Sequence, residues 1–213
     1  PFTLMALRSA MKRDFTSHEI WMIRSFALTF GAVTLRLQLP AAAALGEQFV
    51  KSGTATTGDM EVIKQFSQAM GAEWKAIGLR GMYGYMADLA TEPRWYRVHE
   101  TFSADADLAA NIMKTLVEHL QGGPLNPKSP VALTMKHFPG GGPQELGLDP
   151  HYAFGKNQVY PAGNFGWHLK PWKAAIDAGA SSIMPYYGVP IAVTHEGVKY
   201  EQTGFAFSKQ VVT

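Results

Sequence analysis

From residue 58 onward, apolar residues recur at intervals that predict helices separated by strands. The first helix is predicted over residues 60–76, with Asp59 as its N-cap and Gly78 at its end. Its apolar stripe consists of Ile63, Phe66, Met70, Trp74 and Ile77. The stripe of a second helix consists of Leu108, Ile112, Leu116 and Leu120, before a Gly-Gly-Pro stop at 122–124. The apolar stripe of a third helix consists of Leu169, Trp172 and Ile176. Ser208 is the predicted N-cap of a fourth helix.

Three short apolar segments between these helices predict strands. They read "LRGMYGYMA" at 79–87, "VALTMKHF" at 131–138 and "SSIMPYY" at 181–187. The second is a continuous apolar run of the kind found in strands that are buried on both faces. The order α-β-α-β-α-β-α is typical of parallel sheets with crossover helices.

The connections between these elements differ in length. Helix-to-strand links are short, at 122–130 and 179–181, whereas strand-to-helix links are long, at 88–104, 138–167 and 188–207. Long connections in a compact domain are usually functional, and these leave the carboxyl ends of the strands. The asymmetry favours an α/β fold of the TIM (β/α)8-barrel type with parallel strands, here a partial barrel. The alternative is a doubly wound sheet with a small-molecule site at the same strand ends.

Composition removes several classes of partner. The net charge is only +2 with 17% charged residues, which predicts no nucleic-acid and no anionic-membrane partner. The most apolar stretch, residues 20–39, is interrupted by Arg24 and Arg36, so it is interpreted as core and not as a membrane span. The chain contains no cysteine, which excludes disulfides and thiol chemistry.

Candidate chemistry lies at the predicted strand ends. Lys136 and His137 lie at the carboxyl end of the second predicted strand. Burying a lysine there would be costly without a purpose. The hydrogen-bond donors of the two side chains can bind hydroxyl groups or a carboxylate. The alternative is a strand that simply ends in polar residues before a turn. "IMPYYG" at 183–188 brings Tyr186 and Tyr187 to another strand end, either as a sugar platform or as core.

Two loops carry further polar residues. The segment "DLATEPRWYRVHETF" at 88–102 contains Arg94 and Arg97 among carboxylates and aromatics, either to orient a neighbour or as a structural ion-pair loop. In "DPH" at 149–151, Asp149 could fix the tautomer of His151 and make it a proton carrier, or the segment is an ordinary Asx-Pro turn.

Motifs for other chemistries are absent from the sequence. It has no GxGxxG, GxxxxGK[ST], GxSxG or HExxH motif. We therefore predict neither a cofactor nor a metal site.

Taken together, three segments resemble the catalytic barrel of family-3 glycoside hydrolases, the β-glucosidase-like enzymes. They are "ADLATEPRWYRVHETFSADADLAANI", "KHFPGGGP" and "HLKPWKAAIDAGASSIMPYYG", in the order and spacing of the family. The resemblance covers roughly residues 56–213 and implies a retaining hydrolase of terminal β-D-glycosidic bonds that acts on a β-glycoside or glucose-like sugar. It predicts one incomplete catalytic-barrel domain over residues 1–213, with residues 1–55 atypical for the family.

The resemblance also implies roles for individual residues. Lys136 and His137 would bind hydroxyls of the sugar, Arg97 (in second place Arg94) would brace that pair, and Tyr187 matches a tyrosine close to the nucleophile. In the branch that cleaves N-acetylglucosaminides, an Asp-Ser-His on this loop supplies the acid/base. Asp149 and His151 look similar to it, although the histidine is spaced further from Lys136 and Gly141 replaces a common histidine.

Two departures from the family pattern bear on mechanism. The early sugar-binding Asp is expected where the chain reads "FTLMALRSA", which has no carboxylate, and the nucleophile Asp is expected in a Ser/Thr-Asp-Trp motif after Thr213. We therefore predict that the 213 residues alone do not hydrolyse glycosides. The remaining barrel strands are expected on another chain or beyond this sequence, and a non-catalytic sugar-binding or truncated barrel is the alternative.

Overall fold

The computed structural model describes residues 58–212, all of which belong to one compact unit, Val50–Thr213. The predictions for the apolar stretch 20–39 and for the missing carboxylate at 2–10 lie outside the described residues. Within 58–212, no helix is both long enough and apolar enough to cross a membrane.

Helix α1 (Met60–Ala76) begins and ends where the sequence predicts. The Asp59 side chain accepts the backbone N–H of Glu61 at 3.1 Å, which satisfies one of the free donors of the first turn. Gly78 follows the helix with a φ of +82°, a left-handed conformation that glycine adopts without strain. Ile63 is fully buried, and Phe66, Met70 and Trp74 pack against the same core, so these four form the core face of the helix, whereas the prediction is wrong for Ile77, which is 42% exposed.

The remaining helices complete the alternation. Helix α2 (Ala106–Leu116) starts at Asp105, whose carboxylate accepts two backbone N–H groups, and it runs into a π-helical turn, Val117–Gln121. Helix α3 (Phe165–Asp177) packs beside α2, and helix α4 (Lys209–Val212) follows Ser208 as predicted. The predicted stripe of α3 is wrong for Ile176, which is 54% exposed, whereas Trp172 is buried.

The described strands are β1 (Gly81–Met86), β2 (Ala132–Phe138), β3 (Asn157–Gln158), β4 (Ser182–Pro185), β5 (Val189–Pro190), β6 (Thr194–His195) and β7 (Val198–Lys199). Strands β1, β2 and β4 form a parallel sheet in that order, with Thr134 of β2 opposite Tyr83 and Ser182. The order follows the chain without reversal, as in an arc of a (β/α) barrel and unlike a doubly wound sheet. The fold is therefore α/β with parallel strands, as the sequence predicts.

The helices of the described residues pack on only one of the two faces of the parallel sheet. One face contacts the helices through a core that includes Met82, Leu133, Met135, Ile112 and Trp172. On the opposite face Tyr83 is 75% exposed, and the hydroxyls of Thr134 and Ser182 meet at 2.7 Å. The prediction that β2 is buried on both faces is thus wrong, because the helices of residues 58–212 cover one face only.

Two buried glutamines hold the long connection between β2 and α3. The Gln158 amide in β3 donates to the carbonyl of Gly140 at 2.9 Å and to Gln144 Oε1 at 3.2 Å. Both glutamines are at most 1% exposed. Strand β3 also pairs in parallel with β5, which ties this connection to the segment after β4.

Candidate active site

Side chains from three strand ends converge at the carboxyl edge of the parallel sheet. Arg97, in the loop after β1, places its Nη1 3.2 Å from Nε2 of His137 at the end of β2. The His137 ring lies 4.9 Å, centroid to centroid, from that of Tyr186, which follows β4 and is buried. The edge predicted from loop lengths therefore does gather a guanidinium, an imidazole and a phenol.

The guanidinium of Arg97 is held in a fixed orientation by Glu100. Its Nε and Nη2 donate to the two carboxylate oxygens of Glu100 at 2.7 and 2.6 Å. This pairing raises the pKa of Arg97 and lowers that of Glu100, with a smaller lowering of the latter from the charge of Lys136. Lys136 therefore lies close enough for its charge to act on the same cluster.

The arginine also determines the tautomer of His137. A guanidinium only donates hydrogen bonds, so Nε2 of a neutral His137 accepts and the ring proton is on Nδ1. That Nδ1 lies 3.7 Å from Oδ2 of Asp88. The peptide bonds Lys136–His137 and Phe138–Pro139 are both cis.

Asp88 is the residue beneath this cluster, and sequence reasoning gave it no role in the site. It is 1% exposed, and its carboxylate accepts the backbone N–H groups of His137 at 2.9 Å and Gly141 at 2.5 Å. Charge-assisted bonds of this kind fix the turn that carries His137. The available signal was its position, a carboxylate directly after a buried strand.

A second polar pair lies on the loop between β2 and β3. Asp149 Oδ1 is 2.6 Å from Nδ1 of His151 and accepts the His151 backbone N–H at 3.0 Å. Partial burial opposes ionisation of Asp149, but the backbone and ring of His151 outweigh it and lower the pKa of the carboxyl. A carboxylate on Nδ1 leaves Nε2 of His151 as the nitrogen free to exchange a proton with a ligand.

Contacts between aromatic rings connect the two polar groups. The His151 ring lies 5.0 Å from that of Tyr187, which lies 6.1 Å from that of Tyr186, the neighbour of His137. Tyr187 is 46% exposed, whereas Tyr186 is 1% exposed. Tyr187 thus offers its surface to solvent next to His151, and Tyr186 is the tyrosine that packs against His137.

The sequence matches the Glycosyl hydrolase family 3 N terminal domain over residues 29–190. The chain belongs to glycosyl hydrolase family 3. The match includes residues 29–55, a part for which the motif resemblance gave no alignment.

Two curated relatives of this family-3 chain are named as β-glucosidases. It is 44% identical over 161 residues to the probable β-glucosidase C of Aspergillus flavus, covering 76% of this chain and 24% of that one. It is 34% identical over 163 residues to the periplasmic β-glucosidase/β-xylosidase of Dickeya chrysanthemi, covering 76% and 25%. The chain thus spans about a quarter of the length of these curated relatives.

A solved structure agrees with the fold. The β-glucosidase of Listeria innocua in complex with glucose has a TM-score of 0.56 at 27% identity, over 65% of this chain and 19% of that chain. The same enzyme was also solved with isofagomine, and a mutant of it with laminaribiose.

Of the residues singled out in the family-3 sequence, Arg94 does not join the cluster. Its guanidinium is held by Glu92 at 2.8 and 2.7 Å, and this bonding lowers the pKa of Glu92 to about 2. The pair lines a different cleft of about 530 Å³ together with Trp167 and His168. Arg97, not Arg94, is therefore the arginine that meets His137.

Steric crowding explains why this chain has glycine at position 141, where the family resemblance leads us to expect a histidine. A Cβ on Gly141 would overlap the ring of the buried Trp95 and approach Tyr186. A side chain here would force Trp95, Tyr186 or the turn itself to move, because in this chain the space is already filled. Within residues 58–212, no group of three or more His, Asp or Glu side chains is arranged to hold a metal ion.

Proposed function

We propose that this chain forms part of the catalytic domain of a β-glucosidase-like enzyme that hydrolyses terminal β-D-glycosidic bonds with retention of configuration. The convergence of Arg97 and His137 over the buried carboxylate of Asp88 carries the proposal. The relatives named β-glucosidase support the same reaction class. A β-glycoside with a glucose-like terminal sugar is the proposed substrate.

The sugar is bound through its hydroxyl groups. Lys136 supplies ammonium donors, and His137, whose Nε2 accepts from Arg97, supplies its Nδ1–H, which has no hydrogen-bond partner among the described residues. Because Glu100 holds the guanidinium at two points, the arginine stays in place when the site is empty. Tyr187 contributes an exposed aromatic surface beside the reacting bond.

The Asp149–His151 pair is the proposed acid and base. In the first step a carboxylate attacks the anomeric carbon, the bond to the leaving oxygen breaks, and protonated His151 gives that oxygen its proton. In the second step neutral His151 takes a proton from water, whose oxygen attacks the same carbon and releases the carboxylate. Asp149 stabilises the charged imidazole at 2.6 Å. The attacking carboxylate is the Asp expected in the Ser/Thr-Asp-Trp motif after Thr213.

The proposal is tested with the full-length product of the source gene and an aryl β-glucoside. Replacing Lys136 by methionine is expected to reduce kcat/KM by about 100-fold or more, since a charged donor to the sugar is lost. Lys128→Met, at an exposed position, is the matched control and should leave the rate unchanged. Binding of glucose with no turnover would instead support a non-catalytic sugar-binding barrel.

The acid/base role has its own test. In His151→Gln, kcat/KM for a substrate with a 2,4-dinitrophenolate leaving group is expected to stay near the wild-type value, because this leaving group needs no protonation and kcat/KM reports the first step only. Hydrolysis of a disaccharide should fall by about 100-fold or more, since general acid catalysis is lost. Equal losses on the two substrates would assign proton transfer to another group.

A further inference from the structure

The cleft that contains Arg94 and Trp167, here called the second cleft, is separate from the candidate active site. Its volume is about 530 Å³, within the range of about 300–1,000 Å³ that is usual for sites of small organic ligands. Its walls come from the loop after β1, the turn after β2 and the start of α3. None of the described residues that line it belongs to the cluster around His137 or to the Asp149–His151 pair.

Several polar groups in the second cleft are available to a ligand. Arg94 binds Glu92 through Nε and Nη2, which leaves Nη1 as a donor. Glu145 accepts one amide hydrogen bond with Oε2, which leaves Oε1 as an acceptor. Thr91, which is exposed, adds a hydroxyl group that can do either. Donors and acceptors thus line the same cavity.

The ring of His168 adds a buried polar group to this cleft. It is 3% exposed, and only Nδ1 of its two nitrogens is buried with no partner among the described residues. Because burial lowers the pKa of His168 to about 4, the ring is neutral at pH 7 and has one donor and one acceptor. Buried N–H groups without a partner are rare, so Nδ1 is the acceptor and the proton lies on Nε2. The Nε2–H is therefore a donor that a ligand in the cleft can use.

The charges and the aromatic side chain of the second cleft favour a neutral ligand with hydroxyl groups. The charges of Arg94 and Glu92 neutralise each other, and Glu145 adds a negative charge that disfavours anions. Trp167 lines the cleft and is 37% exposed. A pyranose ring matches this set, because its hydroxyls both donate and accept and its C–H face packs on an aromatic ring.

The walls of the second cleft are held in place without a ligand. A Cβ on Gly142 would overlap the backbone carbonyl of Leu89, so the turn after β2 packs directly on the loop after β1. The indole N–H of Trp167 donates to the carbonyl of Ala104 at 3.4 Å, and the Lys170 ammonium lies 4.4 Å from the ring centroid. A preformed site of this kind lowers the entropy cost of binding.

We propose that the second cleft is a non-catalytic binding site for a neutral saccharide of one or two pyranose units. Trp167 is the stacking surface, and Arg94 and Nε2 of His168 donate to the hydroxyls. The proposal goes beyond the proposed function and does not depend on it, since none of these groups takes part in the reaction.

The test is a calorimetric titration of the full-length product of the source gene with thiocellobiose, a disaccharide whose sulfur linkage resists hydrolysis. Wild type is expected to bind it at two separate sites. Trp167→Ala should weaken one site about tenfold or more, because the stacking surface is lost. The same variant should keep kcat/KM on an aryl β-glucoside within about twofold of wild type. Lys136→Met should weaken only the other site.

Matched variants separate stacking from folding. Trp167→Phe keeps an aromatic ring and should keep the affinity of the second cleft within about threefold. Ile176→Ala removes an exposed apolar side chain from the same helix, outside the cleft, and should change neither binding nor rate. Arg94→Gln, at an exposed position, should weaken the same site as Trp167→Ala by about three- to tenfold.

Two results would overturn the second cleft as a saccharide site. One is a single binding site in wild type that Lys136→Met removes and Trp167→Ala leaves unchanged. The other is a loss in Trp167→Ala that affects both sites together with a lower Tm and that Arg94→Gln does not reproduce.

Failure of the proposed function gives a different result. If wild type does not cleave the aryl β-glucoside, glycoside hydrolysis is refuted, but the titration still measures the second cleft. Binding of thiocellobiose that Trp167→Ala and Arg94→Gln weaken would then still support the proposal, and binding that neither variant changes would refute it.

Discussion

Replacing Asp88 by asparagine tests the role of the buried carboxylate under the candidate site. One carboxylate oxygen accepts the N–H of His137 and the other accepts that of Gly141. The two side chains have nearly the same shape, so the substitution changes charge and hydrogen bonding without opening a cavity. Asparagine can accept only one of the two N–H groups, and its amide turns a donor towards the other.

The cost follows from these two bonds. Losing one charge-assisted hydrogen bond costs about 1.5–3 kcal/mol, and an unpaired buried N–H adds about 1–3 kcal/mol. We therefore expect the free energy of unfolding to fall by about 2.5–6 kcal/mol. Because the same bonds position His137, kcat/KM on an aryl β-glucoside should also fall, by about tenfold or more.

The assay is urea unfolding followed by intrinsic fluorescence, with kcat/KM measured on the same samples. Asp107→Asn provides the control, since this carboxylate is 67% exposed and pairs with Lys170 on the surface. Its removal should cost less than about 1 kcal/mol. A loss below about 1 kcal/mol for Asp88→Asn, with unchanged kcat/KM, would refute the reasoning.

Three further outcomes are expected. Burial lowers the pKa of His168 to about 4, so the folded state resists a proton that the unfolded chain takes up near its usual pKa of about 6.5. The contribution of neutral His168 to the free energy of unfolding, about 3 kcal/mol, is complete above about pH 6.5 and is lost as the pH falls to 4. An NMR titration midpoint of the His168 ring above 6 would contradict this prediction. Arg97→Lys keeps the charge but loses the two-point contact with Glu100, so kcat/KM should fall about 10- to 100-fold, and an unchanged value would exclude the bracing role. Gly155→Ala should lower the free energy of unfolding, measured in urea, by about 1–3 kcal/mol because the added Cβ has no room beside the backbone of Asp149. Gly81→Ala, with open space around the added Cβ, should not lower it. Equal effects of the two substitutions would argue against this packing.

The helices were predictable because their signals are local. The N-cap of α1, its apolar stripe and the glycine after it all lie within 20 residues of one another, and the structure follows them. Strands β3 and β5 were missed because each has two residues, too few for an alternation pattern, and their pairing joins positions 157–158 to 189–190. The partly exposed face of β2 was also missed, since burial of a strand depends on which elements cover it.

The site was predictable only in part, for a similar reason. Loop lengths and strand ends brought Lys136, His137 and Arg97 to one edge, because parallel strands direct their carboxyl ends to the same side. The bonds of Asp88 to a turn 49 and 53 residues away leave no trace in local sequence. The choice between Tyr186 and Tyr187 as the neighbour of His137 likewise depends on tertiary packing.

The connection that carries Asp149 and His151 is fastened by two carboxamide side chains. Gln144 and Gln158 do not ionise at any physiological pH, so their bonds to Gly140, Gly155 and Asn157 do not titrate. A change of pH therefore leaves this fastening unaltered. The shape of the connection at these points is thus set by groups that keep the same hydrogen-bonding character across the physiological pH range.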